Sequence, residues 1–239
     1  MHTNLRIKLP PKSCTLYPSA YTPTPNNGFS LVELLVTISI AILVTAVVFF
    51  NYPKFKQNVS LRRTSDEVAL TIRQAQVYGS GVRRFSRYTL FPWPPHDEEV
   101  FPSGYGVYFD ITTEALRKQF VLFADAGSVP NLYEGEIFGV CGSTRSECVQ
   151  KFNITTGDKI SKLCSNVKSN PPGSPGNCTR TNLNIVFLRP NPTVNLYTRT
   201  GLIGLIGPFS DVSIEIKSIQ GDTRTIVVWS TGQISVETL

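Results

Sequence analysis

The pattern of apolar and polar positions predicts one long helix followed by a series of strands. Residues 29–50 form an apolar run of 22 residues in which Glu33 is the only charged side chain. As a helix this run would be about 33 Å long, close to the thickness of about 30 Å of a membrane hydrocarbon core. Pro53 follows, and because it removes a helical hydrogen bond it predicts a kink.

Beyond Pro53 the pattern becomes amphipathic. A set of apolar and small side chains recurs at three- and four-residue steps, which places them on one side of a helix. These positions are Leu61, Thr64, Val68, Ile72 and Ala75. Gly79 and Gly81 then end the helix. We therefore expect this half of the helix to pack its stripe against a folded domain.

Seven later segments have the β-branched and aromatic composition of strands. They are YGVYFDI (105–111), QFVLFAD (119–125), LNIVFLRP (183–190), VNLYTR (194–199), DVSIEIKS (211–218), TRTIVVWS (223–230) and GQISVE (232–237). The segments FPWPPHDEEVFPSG (91–104) and NPPGSPGNC (170–178) are interpreted as loops. The predicted fold class is α+β, with a long N-terminal helix packed on an antiparallel β-sheet head.

The composition, 41% apolar and 17% charged, is that of a folded chain. Four segments are predicted: a cleaved leader at 1–28, the transmembrane half of the helix at 29–53, its amphipathic half at 54–80, and a β-rich head at 81–239. The net charge is +6, and removal of the leader leaves +3. A charge this small gives weak support for a nucleic-acid partner.

Five cysteines indicate where the head is located. Cys14 lies in the predicted leader, and the other four, which can pair fully, are Cys141, Cys148, Cys164 and Cys178. We favour Cys141–Cys148 and Cys164–Cys178, because each pair closes a short loop rich in Gly, Pro or Ser. The alternative is a zinc site, but the spacing lacks the close cysteine pairs that such sites prefer. Two disulfides imply an oxidising, extracytoplasmic compartment for the head.

Glu33 is unusual because a carboxylate at the centre of a membrane helix costs about 2.5–3.5 kcal/mol, and less near an end. An ionisable group in such a segment is a candidate functional residue that needs a partner. The alternative is that Glu33 lies among the lipid headgroups and faces water.

The segment GFSLVELLVTISI resembles the N-terminal signal of type IV pilins and of the pseudopilins of type II secretion. Gly28 matches the residue before the cut, Phe29 the residue after it, and Glu33 the fifth residue of the mature chain. The later segment TIVVWSTGQISVE is similar to the minor pseudopilin group, so a minor subunit is slightly favoured. Major pilin, minor pilin and secretion pseudopilin all stay open.

The resemblance implies a life cycle. A prepilin peptidase would cut after Gly28 and N-methylate Phe29, and Glu33 would pair with the N-terminal amine of a neighbouring subunit. It implies no enzymatic activity and no cofactor. The implied partners are other pilin or pseudopilin subunits, the prepilin peptidase and an inner-membrane assembly platform. The precursor would cross the inner membrane once with its head outside, before assembly into a pilus or pseudopilus.

Two features depart from the family pattern. Asn26 and Asn27 stand where a basic residue is usual. Lys12 is the only leader charge near the apolar run, whereas four basic residues follow it, so charge alone favours the opposite orientation. A head outside the membrane therefore rests on the resemblance and the cysteines. The alternative function is a signal-anchored extracytoplasmic binding domain, an adhesin or DNA receptor, that does not polymerise.

Three weaker motifs are interpreted as ordinary surface loops. DAGSVPNLYEGE (Asp125–Glu136) has the length of a calcium loop but lacks oxygen ligands at its third and fifth positions, so calcium is kept open without being favoured. RRFSRY (83–88) could contact a DNA strand through arginines and aromatics, and DNA is likewise not favoured. HDEE (96–99) is interpreted as a solvated loop. No catalytic constellation is recognisable in the sequence.

Overall fold

The computed structural model describes residues 28–81, 83–89, 96–135, 141, 146–169, 176–189, 194–201 and 204–238. The predicted leader, apart from Gly28, lies outside these residues. The chain divides into two compact units, Met1–Val48 and Phe49–Leu239. The long helix begins in the first unit and ends in the second.

The described residues contain one α-helix and thirteen β-strands. They are α1 (Leu31–Ser80), β1 (Phe85–Thr89), β2 (His96–Val100), β3 (Gly104–Asp110), β4 (Gln119–Asp125), β5 (Cys148–Asn153), β6 (Lys159–Ser165), β7 (Asn177–Arg180), β8 (Asn182–Leu188), β9 (Val194–Thr200), β10 (Gly204–Ile206), β11 (Asp211–Lys217), β12 (Thr223–Trp229) and β13 (Ile234–Thr238). A single 3-10 turn, Leu116–Lys118, precedes β4.

Helix α1 ends at Ser80, between the two glycines predicted to stop it. A β-carbon at Gly79 would lie 2.5 Å from the carbonyl oxygen of Phe187, so only glycine allows the end of the helix to approach β8 this closely. The helix runs continuously through Pro53, and the kink stays a prediction.

The strands form two larger sheets and a hairpin, in which all paired strands are antiparallel. The six-stranded sheet has the order β10-β9-β8-β3-β4-β5, and the five-stranded sheet the order β13-β12-β11-β6-β7. Strands β1 and β2 pair only with each other. The predicted α+β architecture of one helix and antiparallel strands is confirmed, although two sheets take the place of the single sheet expected.

One hydrophobic core joins the helix to both sheets. The predicted helix stripe is fully buried, with Val68, Ile72 and Ala75 all 0% exposed. It packs with one face of the six-stranded sheet, including Phe109, and one face of the five-stranded sheet, including Ile214. Burial of each large apolar side chain contributes about 1.5–3 kcal/mol. The second half of α1 is therefore part of the folded head.

All seven predicted strands are present, but the sequence missed others. The loop predictions at 91–104 and 170–178 are partly wrong, because β2 and β7 lie within them. Residues 90–95 and 170–175 are outside the described residues. The segment 83–88, predicted as a loop, mostly forms β1. These strands are short and polar, and cross-strand contacts stabilise them.

A buried carboxylate holds the helix to the loop between β5 and β6. Asp158, 2% exposed, accepts hydrogen bonds at Oδ2 from Ser60 (2.8 Å), Thr64 (3.0 Å) and Thr156 (2.7 Å). A buried carboxylate is tolerated when hydrogen-bond donors surround it in this way. We name Asp158 and these three hydroxyls the helix clamp.

Candidate functional site

The predicted cleavage site lies just ahead of the helix. Residues 28–30 have no regular secondary structure, and α1 begins at Leu31. A β-carbon at Gly28 would meet nothing within 4 Å, and the Phe29 side chain is 80% exposed. Among the described residues, the bond between Gly28 and Phe29 thus lies in a non-helical segment with open space beside Gly28.

The helix that follows presents apolar side chains in all directions. The large apolar residues between Phe29 and Phe50 are exposed by between 47% at Ile38 and 84% at Phe50. Within the described residues, α1 is the one helix long and apolar enough to span a membrane, by length and composition. An apolar segment exposed on every side calls for a membrane or other helices around it.

The hydroxyl groups in this segment are bonded to the helix itself. Thr37 donates to the Leu34 carbonyl at 2.9 Å, and Ser39 donates to the Leu35 carbonyl at 2.8 Å. Thr45 donates to the carbonyl of Ile42 at 3.2 Å. These polar atoms therefore need no external partner in an apolar environment.

Glu33 differs from those hydroxyls. It lies in the first turn of α1, where the positive end of the helix dipole favours a carboxylate. Its side chain is exposed, and the described part of the chain supplies no hydrogen bond or ion pair to it. Between Leu31 and Phe50 it is the one polar side chain without a bond inside the described residues. The structure thus leaves its carboxylate available to an external cation.

The cysteines are bonded as the sequence analysis favoured, Cys141 to Cys148 and Cys164 to Cys178. The first disulfide closes a loop of the six-stranded sheet, and the second joins β6 to β7. All four sulfurs are therefore taken up in disulfides in this structure.

The segment weighed as a calcium loop is organised around carboxylates that accept hydrogen bonds from the protein. Glu134 accepts bonds from the Ser128 hydroxyl (2.6 Å) and from the Ser128 and Val129 backbone N–H groups. Asp125 accepts bonds from the Ser103 hydroxyl and the Asn131 backbone N–H. Glu136 lies outside the described residues. The described part of the chain holds no group of three or more His, Cys, Asp or Glu side chains placed for a metal ion.

Sequence reasoning missed a third carboxylate beside this segment, Glu147, which directly precedes β5 and is 3% exposed. It accepts hydrogen bonds from the backbone N–H groups of Glu134 (2.8 Å) and Ala126 (3.2 Å). A β-carbon at Gly127 would lie within 2.5 Å of both Glu134 and Glu147, so the two carboxylates converge on this glycine. The pKa of Glu147 is raised to about 7, chiefly by burial and also by the charges of Asp125 and Glu134, while the backbone N–H donors lower it in part.

The arginines of the segment weighed as a DNA contact have partners within the protein. Arg84 pairs with Glu99 at 2.7 Å and Arg87 with Glu98 at 3.0 Å, both across the β1–β2 hairpin. The guanidinium of Arg83 lies 3.9 Å from the centre of the Tyr78 ring. The HDEE segment is thus a strand whose glutamates balance the arginines, which corrects the prediction of a solvated loop.

Comparison with known proteins gives one match. The prokaryotic N-terminal methylation motif matches residues 24–49, a range that includes Gly28, Phe29 and Glu33. The chain has no significant match among curated proteins or among solved structures. The motif supports a type IV pilin-like precursor, and the apolar helix is consistent with membrane anchoring. Residues 24–49 therefore carry the N-terminal methylation signature of type IV pilins and pseudopilins, which confirms the motif recognised in the sequence.

Proposed function

We propose that the chain is the precursor of a structural subunit of a type IV pilus or of a type II secretion pseudopilus. The observation that carries the proposal is the placement of Glu33. It is the fifth residue after the expected cut, lies within the matched motif, and is the one charged side chain of the exposed apolar run 29–50. The motif suggests a structural subunit rather than an enzyme.

Cleavage after Gly28 gives Glu33 its partner. The cut creates a new amine on Phe29, which the prepilin peptidase then methylates. A cation and a carboxylate are each costly in an apolar environment, and the cost falls when they pair. Pairing between the Phe29 amine of one subunit and Glu33 of its neighbour therefore favours assembly in the correct register. The helix anchors the precursor first and packs in the filament afterwards, with an inner-membrane platform driving the transfer.

The two disulfides support a head outside the cytoplasm, because such bonds persist in oxidising compartments. We further propose that the chain is a minor subunit, on the likeness of TIVVWSTGQISVE to that group. The segment TIVVWSTGQISVE forms the β12–β13 hairpin at one edge of the five-stranded sheet.

Processing is tested by the intact mass and the N-terminal sequence of the protein from membranes of cells that contain a prepilin peptidase. We expect a chain that begins at N-methylated Phe29 and lacks four hydrogens for its two disulfides. An uncut chain, or one cut inside the apolar run, would contradict the proposal.

Assembly is tested with Glu33→Ala, with Thr37→Ala as a matched control one turn along the same helix. We expect both variants to be cleaved, and Glu33→Ala to reduce recovery in the sheared filament fraction by about tenfold or more, because a buried ion pair loses one partner. Thr37 bonds only to its own helix within the described residues, so its loss should leave recovery unchanged. Normal recovery of Glu33→Ala would contradict the role of Glu33 in assembly, and absence of the wild-type chain from the filament fraction would favour the anchored binding domain instead.

A further inference from the structure

The outward face of α1 in the head carries exposed apolar side chains on both sides of a cluster of charges. Phe55 is 67% exposed and Val59 50%, and beyond the charges Leu70 is 62% exposed and Val77 66%. The charges between them, here named the charged block, are Arg62, Arg63, Asp66 and Glu67. A groove of about 620 Å³ runs beside them, with Phe152 of β5 on its far side. This face lies opposite the buried stripe and has the composition of an interface.

The order of the charges is not the order that best stabilises the helix itself. An acidic residue four positions before a basic one stabilises a helix better than the reverse, and the charged block has the reverse order. Arg62 reaches Asp66 only at 4.0 Å, and both side chains are more than half exposed. Within the described residues, no ion pair forms between Arg63 and Glu67. Ion pairs along the helix therefore neutralise little of the charge in the charged block.

The same order suits contact between two parallel copies of the helix. Copies aligned without displacement would place arginine beside arginine and carboxylate beside carboxylate, which is repulsive. A displacement of four residues, about 6 Å along the axis, places Arg62 beside Asp66 and Arg63 beside Glu67 of the other copy. It also places Phe55 level with Val59, so two apolar side chains that are exposed in the single chain can meet.

We propose that the charged block binds the same face of a second copy of this chain, parallel to it and displaced by four residues. The proposal rests on the proposed function, because copies anchored in one membrane are parallel. It adds a second determinant of register, 29 to 34 residues beyond Glu33. The offset between Phe29 and Glu33 is also four residues, the same number as the displacement proposed for the charged block.

The test uses full-length chains with single charge reversals, expressed with a prepilin peptidase and an assembly platform. The two pairing positions are 63 and 67. Both are acidic in Arg63→Glu, and both are basic in Glu67→Arg. Each variant alone is expected to reduce the yield of copies that are cross-linked to each other by about tenfold. Expression of both variants together is expected to restore the yield, because each supplies the charge that the other lacks. A pair within one helix could not be repaired by mixing, so failure of mixing would overturn the proposal.

The displacement itself is measured by cysteine cross-linking in membranes. Introduced cysteines are the free thiols in this experiment, because four cysteines of the head are in disulfides and Cys14 leaves with the leader. Arg63→Cys in one tagged copy and Glu67→Cys in another should cross-link in preference to two copies of Arg63→Cys. Preferred cross-linking without displacement, or between positions 66 and 73, would overturn the proposal. The matched control Glu33→Ala separates the two hypotheses. If cross-linking of the cysteine-bearing chains depends on Glu33 but is unaffected by the charge reversals, only the register proposal fails.

Discussion

Protonation of Glu147 should make the head more stable in mild acid than at alkaline pH. The carboxyl is buried in the loop between β4 and β5, beside Asp125 and Glu134, and burial raises its pKa to about 7. In the unfolded chain the group would titrate near 4.5. Between these two values the folded protein keeps a proton that the unfolded chain has released. The free energy of unfolding must therefore fall as the pH rises from about 4.5 to 7.

The size of the effect follows from the two pKa values. Each unit of difference corresponds to 1.36 kcal/mol, so Glu147 alone removes about 3 kcal/mol between pH 4.5 and pH 8. For a domain of this size that equals a decrease of about 6–12 °C in Tm. The pKa of Asp125 is also raised, chiefly by burial, so its effect has the same sign but begins at lower pH. Burial raises the pKa of Glu134, but the Ser128 hydrogen bonds outweigh it and the pKa is lowered. The stability that this carboxylate contributes is lost only at still lower pH, where it becomes protonated in the folded chain.

The assay is thermal unfolding of the full chain in detergent, followed by near-ultraviolet circular dichroism at pH 5 to 8. Glu147→Gln removes the titration but keeps the size of the side chain, so its Tm should vary less with pH by about the amount given above. Any lost hydrogen bond would lower its Tm equally at every pH. The control is Glu114→Gln, since Glu114 is exposed and its pKa is lowered, chiefly by a hydrogen bond from Lys159. An identical pH dependence of the wild type and Glu147→Gln would refute the reasoning.

Two further predictions concern the head. Asp158→Ala should destabilise the protein by about 3 kcal/mol or more, because the hydroxyls of Ser60, Thr64 and Thr156 lose a buried acceptor. Asp158→Asn, which keeps an acceptor oxygen, should cost less in the same denaturation assay, and equal losses would contradict the helix clamp. Calcium or a chelator should leave the Tm unchanged, because the carboxylate oxygens of Asp125 and Glu134 already accept hydrogen bonds. A calcium-dependent rise in Tm would show a site that the described residues do not reveal.

The elements that the sequence predicted correctly are those whose stabilising contacts leave a periodic pattern. The stripe of Val68, Ile72 and Ala75 follows the helical repeat, and the alternation in DVSIEIKS follows the repeat of β11. Both patterns arise because one face of each element is buried in the shared core. The motif around Gly28 and Glu33 could be recognised because processing requires fixed residues at fixed distances along the chain.

The features that the sequence did not predict depend on residues far apart in the chain. Strand β2 is rich in acidic residues and follows a proline run, and it pairs with β1, where Arg87 and the preceding Arg84 balance its glutamates. Asp158 and Glu147 are each surrounded by donors from other segments, so neither has a local signature. The division of the strands into two sheets depends on which strands pair, and this is settled by the packing of the whole core.

The two faces of α1 explain how contacts between helices can position the head. On the inward face, the buried stripe and the helix clamp tie the helix to both the core and the β5–β6 loop. Any displacement of residues 57–80 along the axis would have to break these contacts or carry the head with it. A register set at the charged block on the outward face is therefore imposed on the head as well. The same short segment of α1 must therefore contact the head on one face and the second copy on the other. This accounts for exposed apolar residues such as Leu70 directly beside buried ones such as Ala69.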